Sequence, residues 1–224
     1  MIMEKKHIII PKIEEEIRID GNFNEPVWGK AAIITPFTHN DGTGVETEPT
    51  RLRICYNSTY LYLGWSCTDS DIQATLTQHD ANLWDEEVVE CFITPHRLTR
   101  YFELQWNPLG TTFDGIILNT LGEDGLSRKR DLERDWNPPN IISAVVVEGR
   151  LSGKADKDKE WRVEAAIPFA ELETGAPRPG DVWRANFYRY NRTSGKETEF
   201  LAWSPTCTKT FHEPNRFGFI QFGE

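Results

Sequence analysis

Hydrophobic and polar residues alternate with a period of two through most of the chain. Arg51–Tyr56 and Tyr60–Cys67 both show this alternation, and the turn-forming run Asn57-Ser-Thr lies between them. Side chains of a β-strand point alternately to the two faces of a sheet. The pattern therefore predicts two strands joined in a hairpin.

Eight further segments of this kind follow at short spacing, separated by Gly, Pro, Asn and Asp. Many short strands with turn signals between them are typical of a β-sandwich or a barrel. We expect an all-β fold, a single antiparallel β-sandwich of jelly-roll or immunoglobulin-like type. Short helical turns are predicted after Asn24 and at Pro168–Leu172. The eight segments are 87–93, 101–107, 112–118, 142–148, 160–167, 181–190, 200–204 and 218–222.

The strand pattern continues without a linker or an internal repeat. We expect residues 1–16 to form an N-terminal extension and residues 17–224 to form one domain. Two polar stretches of mixed charge, 122–139 and 152–159, interrupt the pattern and are typical of solvated loops.

The composition favours a packed, soluble protein. The chain is 38% hydrophobic, and its 35 Asp and Glu against 25 Lys and Arg give a formal charge of −10. Because a net negative surface repels phosphate groups, we expect no nucleic-acid partner and no membrane partner. No signal peptide is recognisable, which predicts a cytoplasmic location, or a secreted or periplasmic one if a precursor is trimmed. The oligomeric state is left open.

The sequence contains no motif of nucleophilic, phosphate-binding or zinc-protease chemistry, since G-x-S-x-G, P-loop and H-E-x-x-H patterns are all missing. Its four cysteines are too sparse for a disulfide scaffold and are expected to be reduced. Glu90 with Glu103 or Glu87 is the pair that a small glycoside hydrolase would use. The alternative for this acidic run is the solvated start of a strand with one inward acid.

Two segments rich in oxygen ligands, 68–71 and 79–85, are candidates for a structural calcium ion. Neither has the spacing of an EF-hand or its glycine, and the alternative is a pair of solvated loops. We expect no cofactor, with a structural calcium ion left open.

Aromatic residues are the most informative part of the composition, with 8 Trp, 6 Tyr and 12 Phe. Sugars present flat patches of C–H groups, so proteins bind them by stacking rings on those patches and hydrogen-bonding the hydroxyls. Three segments combine rings with polar groups: Trp84 before the acidic strand, the alternating strand 101–107, and the loop 203–218. The tryptophans in regular apolar patterns, which we assign to the core, are Trp28, Trp65, Trp161 and Trp183.

A set of segments, taken in order, resembles the family 9 carbohydrate-binding modules, part of a wider group of sandwich domains related to the haem- and sugar-binding DOMON type. No single segment is specific, but the ordered set is, and it runs from about residue 17 to the end of the chain. The segments are Ile19-Asp-Gly-Asn-Phe-Asn-Glu-Pro-Val-Trp28, Tyr60-Leu-Tyr-Leu, Trp84-x5-Glu90-Cys-Phe-Ile, Trp161-Arg-Val-Glu-Ala-Ala-Ile-Pro-Phe, Trp203-Ser-Pro-Thr and Phe211-His-Glu-Pro-Asn-Arg-Phe-Gly.

The resemblance implies non-catalytic carbohydrate binding in polysaccharide or oligosaccharide catabolism, with a groove that holds a chain end between two aromatic rings. By position, Trp84 corresponds to one stacking ring, Phe211 to the second, and Glu90 to the acid that accepts hydroxyl hydrogen bonds. The remaining expected ligand-binding residues, on strands that floor the groove, are Glu103, Gln105 and Tyr188.

Three departures bear on the ligand, and the first is the additional stretch 122–139, which is expected to cover or extend the groove. Phe211 replaces a Trp of the well-known binders, which leaves less stacking area and no N–H donor. Glu103 stands where a basic residue can bind sugar in the family. Two further interpretations stay open besides a hydrolase: an interaction domain that has lost sugar binding, and a haem domain. Against haem, Met1 and Met3 lie in the terminal tail, and His79 and His212 show no second ligand.

Overall fold

Two β-sheets pack face to face in the computed structural model, which describes residues 5–151 and 158–224. All ten strands predicted from alternation are present, and their ends agree within two residues except that the strand predicted at 112–118 continues to Leu121. In chain order the strands are β1 (His7–Ile10), β2 (Ala32–Ile34), β3 (Thr38–His39), β4 (Thr50–Tyr56), β5 (Tyr60–Thr68), β6 (Val88–Thr94), β7 (Arg100–Trp106), β8 (Thr112–Leu121), β9 (Ser127–Glu133), β10 (Ile142–Glu148), β11 (Glu160–Pro168), β12 (Val182–Asn191), β13 (Glu199–Ala202) and β14 (Gly218–Phe222). Residues 152–157 of the predicted second polar stretch lie outside the described residues.

The larger sheet has the order β1-β14-β12-β6-β7-β8-β9, with β13 beside β12 and β3 beside β13. The smaller sheet has the order β10-β11-β5-β4-β2. Among the described strand pairs, β1 and β14 alone run parallel, with His7 opposite Phe219 and Ile10 opposite Phe222. The predicted all-β sandwich is confirmed, and the larger sheet is mixed rather than purely antiparallel.

The core lies between the sheets and is rich in aromatic side chains. Trp65 of β5 meets Phe187 of β12 across it, with ring centroids 6.0 Å apart. All four tryptophans assigned to the core are buried, although Trp28 packs on the outer face of the smaller sheet. The four cysteines are free thiols, and only Cys207 is exposed.

The N-terminal segment packs against both sheets. In its described part, residues 5–16, β1 extends the larger sheet and Ile13 is buried against the smaller one. The following Asp20–Trp28 segment is held by Glu164 of β11, whose carboxylate accepts four hydrogen bonds at 2.8–3.0 Å. The donors are the backbone N–H groups of Asp20, Gly21 and Phe23 and the indole N–H of Trp28.

The polar stretch 122–139 is not only a loop as predicted, because Ser127–Glu133 forms the edge strand β9. It pairs with β8 from Ile116–Glu133 to Leu121–Ser127, with one bulge near Thr120. Its side chains are mostly exposed on both faces of the sheet. The segment therefore has no alternation of apolar and polar residues from which a strand could be predicted. Charged residues on an edge strand hinder pairing with other chains.

The helical elements are single turns. A 3-10 turn spans Pro26–Gly29 in the region predicted after Asn24, with Glu25 preceding it. At the second predicted position, Leu172 donates its backbone N–H to Phe169 in a turn. In residues 5–151 and 158–224 no helix has the length and apolar character to span a bilayer.

Candidate functional site

A cavity of about 1050 Å³ opens on the face of the larger sheet that points away from the core. Val89 and Cys91 of β6 face the core, so Glu90 between them points to the cavity. Four aromatic side chains contribute to the wall, namely Trp84, Tyr190, Phe200 and Phe211. The charged side chains of the lining are Asp41, Glu90, Glu103, Arg130, Arg134, Lys196, Glu197, Glu199 and Lys209.

Two carboxyl groups form part of the cavity floor. Glu90 pairs with Gln105 across β6 and β7, and Phe92 pairs with Glu103, so the two glutamates are diagonal neighbours on one face. Each is at most 3% exposed. The strand alternation that we used to place Glu103 and Gln105 together on one face of residues 101–107 is observed, because Phe102, Leu104 and Trp106 pack in the core.

The floor carboxyl groups bind protons more tightly than ordinary glutamates. Burial raises the pKa of Glu103 to about 7, while a hydrogen bond from Gln105 and the charges of Arg130 and Arg134 act to lower it. Burial and the neighbouring Glu103 raise the pKa of Glu90 well above its usual range. Two close carboxyl groups in a low-dielectric site do not ionise together. Near neutral pH the pair therefore holds at least one proton.

Part of the floor's hydrogen-bonding capacity is unused. Gln105 donates its amide Nε2–H to Oε1 of Glu103 over 2.7 Å. Oε2 of Glu90 and Oε1 of Gln105 are buried and have no partner among the described residues. Buried polar atoms without partners cost free energy unless water or a ligand satisfies them. Of these two atoms, Oε2 of Glu90 belongs to a residue of the cavity lining, so the floor offers a buried acceptor to a hydroxyl group of a ligand.

Trp84 is held in the wall by its neighbours. It lies in the 3-10 turn Leu83–Asp85, with its ring edge-on to Phe113 at 5.3 Å. The guanidinium of Arg134 lies 5.5 Å from the Trp84 ring centre, and Arg192 donates to the Trp84 carbonyl over 2.8 Å. These contacts fix a partly exposed ring at the cavity.

Phe211 is a more buried ring, 6% exposed, and Tyr188 lies directly behind it. The Tyr188 hydroxyl donates to the Phe211 carbonyl over 2.8 Å. Of the six predicted ligand-binding residues, the structure places Trp84, Glu90, Glu103 and Phe211 in the cavity lining. Gln105 and Tyr188 are not in the described lining and instead support Glu103 and Phe211.

Sequence reasoning missed several lining residues. Phe200 of β13 is 47% exposed and lies edge-on to Tyr190 at 5.1 Å. The alternation of Phe200 and Leu201 was a usable signal, because Leu201 faces the core. Arg130 and Arg134 belong to the stretch that we interpreted as a solvated loop and as an extension of the groove, but neither residue was singled out. Arg130 lies in β9, which pairs with β8, and Arg134 directly follows that strand.

The acidic run near β6 differs from the prediction of one inward acid. Both Glu87 and Glu90 are buried, but Glu87 accepts the backbone N–H of Arg192 and does not line the cavity. In the 68–71 segment, Asp69 forms a fully buried ion pair of 3.0 Å with Arg189. A protein cation thus already neutralises one oxygen-ligand candidate there, and the structural calcium ion stays a prediction.

Solved structures of similar fold exist at low sequence identity. A proposed carbohydrate-binding protein from Bacteroides uniformis ATCC 8492 aligns with a TM-score of 0.75 at 16% identity, covering 98% of this chain and 100% of that one. A family 9 carbohydrate-binding module from Caldicellulosiruptor kristjanssonii aligns in complex with cellotriose, with a TM-score of 0.65 and 12% identity over 97% of this chain and 94% of that one. The same organism's family 9 module in complex with glucose has a TM-score of 0.66 at 13% identity, covering 98% of this chain and 97% of that one.

No curated protein matches the sequence. The model of carbohydrate-binding family 9, however, matches residues 46–222, which include every strand from β4 to β14 and all six predicted ligand-binding residues. A match over most of the chain, together with the sandwich fold and the aromatic cavity, establishes that this protein belongs to carbohydrate-binding family 9.

Proposed function

We propose that the protein binds the end of an oligosaccharide or polysaccharide chain in the cavity of the larger sheet and does not cleave it. The observation that carries this proposal is the combination of aromatic walls, Trp84 and Phe211, with two buried carboxyl groups on the floor. Stacked rings cover the C–H faces of a sugar, and the floor hydrogen-bonds its hydroxyls. Relatives of the same fold are complexed with cellotriose and glucose.

Each residue has a distinct role in this proposal. Trp84 and Phe211 are the stacking surfaces, and Glu90 and Glu103 bind hydroxyl groups. Gln105 and Tyr188 are positioning residues, because they hold Glu103 and Phe211 by hydrogen bonds. The positive charge that the family can place at position 103 is supplied here by Arg130 and Arg134 of the cavity lining.

The test is calorimetry over a panel of glucose, cellotriose, xylotriose and mannotriose. We expect micromolar to millimolar dissociation constants for one series. Trp84→Ala should weaken binding at least tenfold, while Trp136→Ala, which truncates a tryptophan outside the cavity lining, should not. A saccharide that binds the Trp84→Ala protein as tightly as the wild type would overturn the site. If the folded wild type binds no saccharide of the panel, the result would favour an interaction domain.

A chain-end preference is tested separately. An oligosaccharide, its borohydride-reduced alditol and a derivative blocked at the non-reducing end are titrated in parallel. End recognition predicts at least a tenfold loss for one of the two modified ligands. Equal affinity for all three would show that the cavity binds internal units.

One observation favours a hydrolase as the second candidate, namely the raised pKa of about 7 for Glu103 beside Glu90. A glycosidase, however, places its two carboxyl groups on either side of the scissile bond. Glu90 and Glu103 lie on the same floor, and Glu87 does not line the cavity. We therefore expect no hydrolysis of chromogenic glycosides above background. Turnover that Glu103→Gln abolishes would establish the enzyme instead.

A further inference from the structure

A second cluster of polar side chains lies at the loop that precedes Trp84. Nε2 of His79 is 3.6 Å from Oδ1 of Asp80 and 3.7 Å from Oδ1 of Asp114 in β8. Ligand atoms of the three side chains all lie within 4.8 Å of one another. Two residues come from one loop and the third from a strand 34 positions further on, so the fold assembles the cluster.

Asp114 is the unexplained member of this cluster. Its side chain is nine-tenths buried, and its Oδ2 has no hydrogen-bond partner among the described residues. Its Oδ1 points at the His79 ring. A buried carboxylate that lacks hydrogen bonds is costly unless a cation compensates it.

The remaining contacts of His79 suit a metal ligand. Its Nδ1 lies 3.1 Å from the backbone carbonyl of Thr112, which leaves Nε2 to face the two carboxylates. Metal-bound histidines usually donate their second ring N–H to a carbonyl or carboxylate in this way, because that bond fixes the ring and the tautomer. In the absence of an ion, Nε2 is also hydrogen-bonded to Oδ1 of Asn137 over 2.9 Å, and a bound ion would replace that bond and have this oxygen beside it.

We propose that His79, Asp80 and Asp114 bind a divalent transition-metal ion such as Zn²⁺. Tetrahedral ligands about 2.1 Å from zinc lie roughly 3.4 Å from one another. The distances from Nε2 of His79 to the two aspartate oxygens, 3.6 and 3.7 Å, are close to that value. One imidazole with two carboxylates suits zinc better than calcium, which takes six to eight oxygen ligands. Asn137 or water completes the coordination.

Such an ion would fasten the Trp84 loop to β8. Asp80 already donates its backbone N–H to Thr112, and Phe113 contacts the Trp84 ring from the neighbouring position of the strand. Asp114 also donates its backbone N–H to Oδ1 of Asp80 over 3.3 Å, and the ion adds an attachment through the Asp114 side chain. Any effect of the metal on saccharide affinity rests on the proposed function, whereas the metal site itself does not.

The experiment titrates the full chain, stripped with a chelator, with ZnCl₂, CoCl₂ and CaCl₂ in the absence of sugar. We expect one zinc per chain at micromolar affinity or better, a visible cobalt absorption, and no calcium binding at the same concentrations. His79→Gln and Asp114→Asn should each weaken zinc binding at least tenfold. His96→Gln, at an exposed histidine elsewhere, is the matched control and should bind as the wild type does.

Two results would overturn the site. The first is zinc binding that survives both His79→Gln and Asp114→Asn. The second is no zinc binding by the folded wild type, which would mean that a proton on His79 compensates the two carboxylates. In a separate measurement, chelation should lower saccharide affinity at least threefold in the wild type and leave Asp114→Asn unchanged. If zinc binds as expected but chelation does not change saccharide affinity, the proposed effect of the ion on the cavity would be wrong and the metal site would stand.

Discussion

Phe211 stacks on Tyr188 with ring centroids 4.0 Å apart and planes 9° from parallel. One face of the Phe211 ring is therefore covered by Tyr188, so in the proposed site a saccharide stacks on the opposite face. The Tyr188 hydroxyl donates to the carbonyl of the same residue that its ring supports. Tyr188 thus fixes both the backbone and the ring of Phe211, although it is fully buried itself.

We predict that Phe211→Leu lowers saccharide affinity about tenfold, or roughly 1.4 kcal/mol, because leucine fills the space but has no flat face. Phe211→Trp should raise affinity, since it adds stacking area and an N–H donor. Isothermal titration with the best ligand of the panel measures both. Unchanged binding by a folded Phe211→Leu protein would contradict the role of this ring.

Tyr188→Phe separates the support from the stacking surface. The ring pair remains, but the Phe211 carbonyl loses its buried donor, which should cost about 1 kcal/mol of unfolding free energy. Urea unfolding measures this cost. Affinity should fall less than in Phe211→Leu, and a larger fall would indicate that Tyr188 contacts the ligand directly.

Stability should fall as pH rises from 4.5 toward 7. The folded protein holds a proton on Glu103 up to a pKa of about 7, whereas the unfolded chain releases it near the ordinary value of 4.5. The stability that this proton contributes is fully present below about 4.5 and is lost as pH rises through about 7. Glu90, whose pKa is also raised, acts in the same direction.

Urea unfolding of the wild type and Glu103→Gln at several pH values from 4.5 to 7.5 tests this linkage. The free energy of unfolding of Glu103→Gln, relative to that of the wild type, should increase with pH. Glu197→Gln, at an exposed carboxylate of the same cavity, should follow the wild type. Parallel profiles for all three proteins would refute the raised pKa.

Glu164→Gln should destabilise the fold by about 2–4 kcal/mol, because each carboxylate oxygen accepts two hydrogen bonds and the amide nitrogen that replaces one oxygen cannot accept its two. Glu160→Gln, on the same strand but partly exposed and paired with Arg162, should change stability by less than about 1 kcal/mol. Saccharide affinity should be unchanged in both, since neither lines the cavity. Equal stability of the two variants would contradict the role of Glu164.

The buried pair of Arg189 and Asp69 predicts non-additive mutations. Arg189→Met and Asp69→Asn should each cost about 3–5 kcal/mol, since each leaves the partner buried without its counter-charge. The double variant should cost less than the sum by about 1–3 kcal/mol. A double-mutant cycle by urea unfolding gives the coupling, and strict additivity would show that the pair is not an energetic unit.

Alternation was sufficient to predict the strands that have one apolar face, and it failed where neither face is apolar. β9 is the clearest case, because its charged residues are held by backbone pairing to β8 and not by burial. Residues 7–10 are apolar but were not predicted as a strand, because His-Ile-Ile-Ile has too few residues to show a period. Short or edge strands depend on the neighbouring strand, which local sequence does not specify.

The candidate site was predictable in its floor and less so in its walls. Period two places Glu103 and Gln105 on one face, and the family resemblance placed Trp84, Glu90 and Phe211 near them. Arg130 reaches the cavity through a strand pairing that its own segment does not predict. The His79 and Asp114 cluster joins residues far apart in sequence, and only the folded chain shows that they meet.

The parallel pairing of β1 with β14 has a mechanical consequence. Tension between the two chain ends would pull β1 and β14 in opposite directions along their length. The four residue pairs from His7–Phe219 to Ile10–Phe222 would then share the load in shear and would not open one after another. If the cavity holds a ligand and the chain is pulled, the pairing of β1 with β14 would therefore bear the force. This edge of the larger sheet is at the opposite end of the strand order from β9.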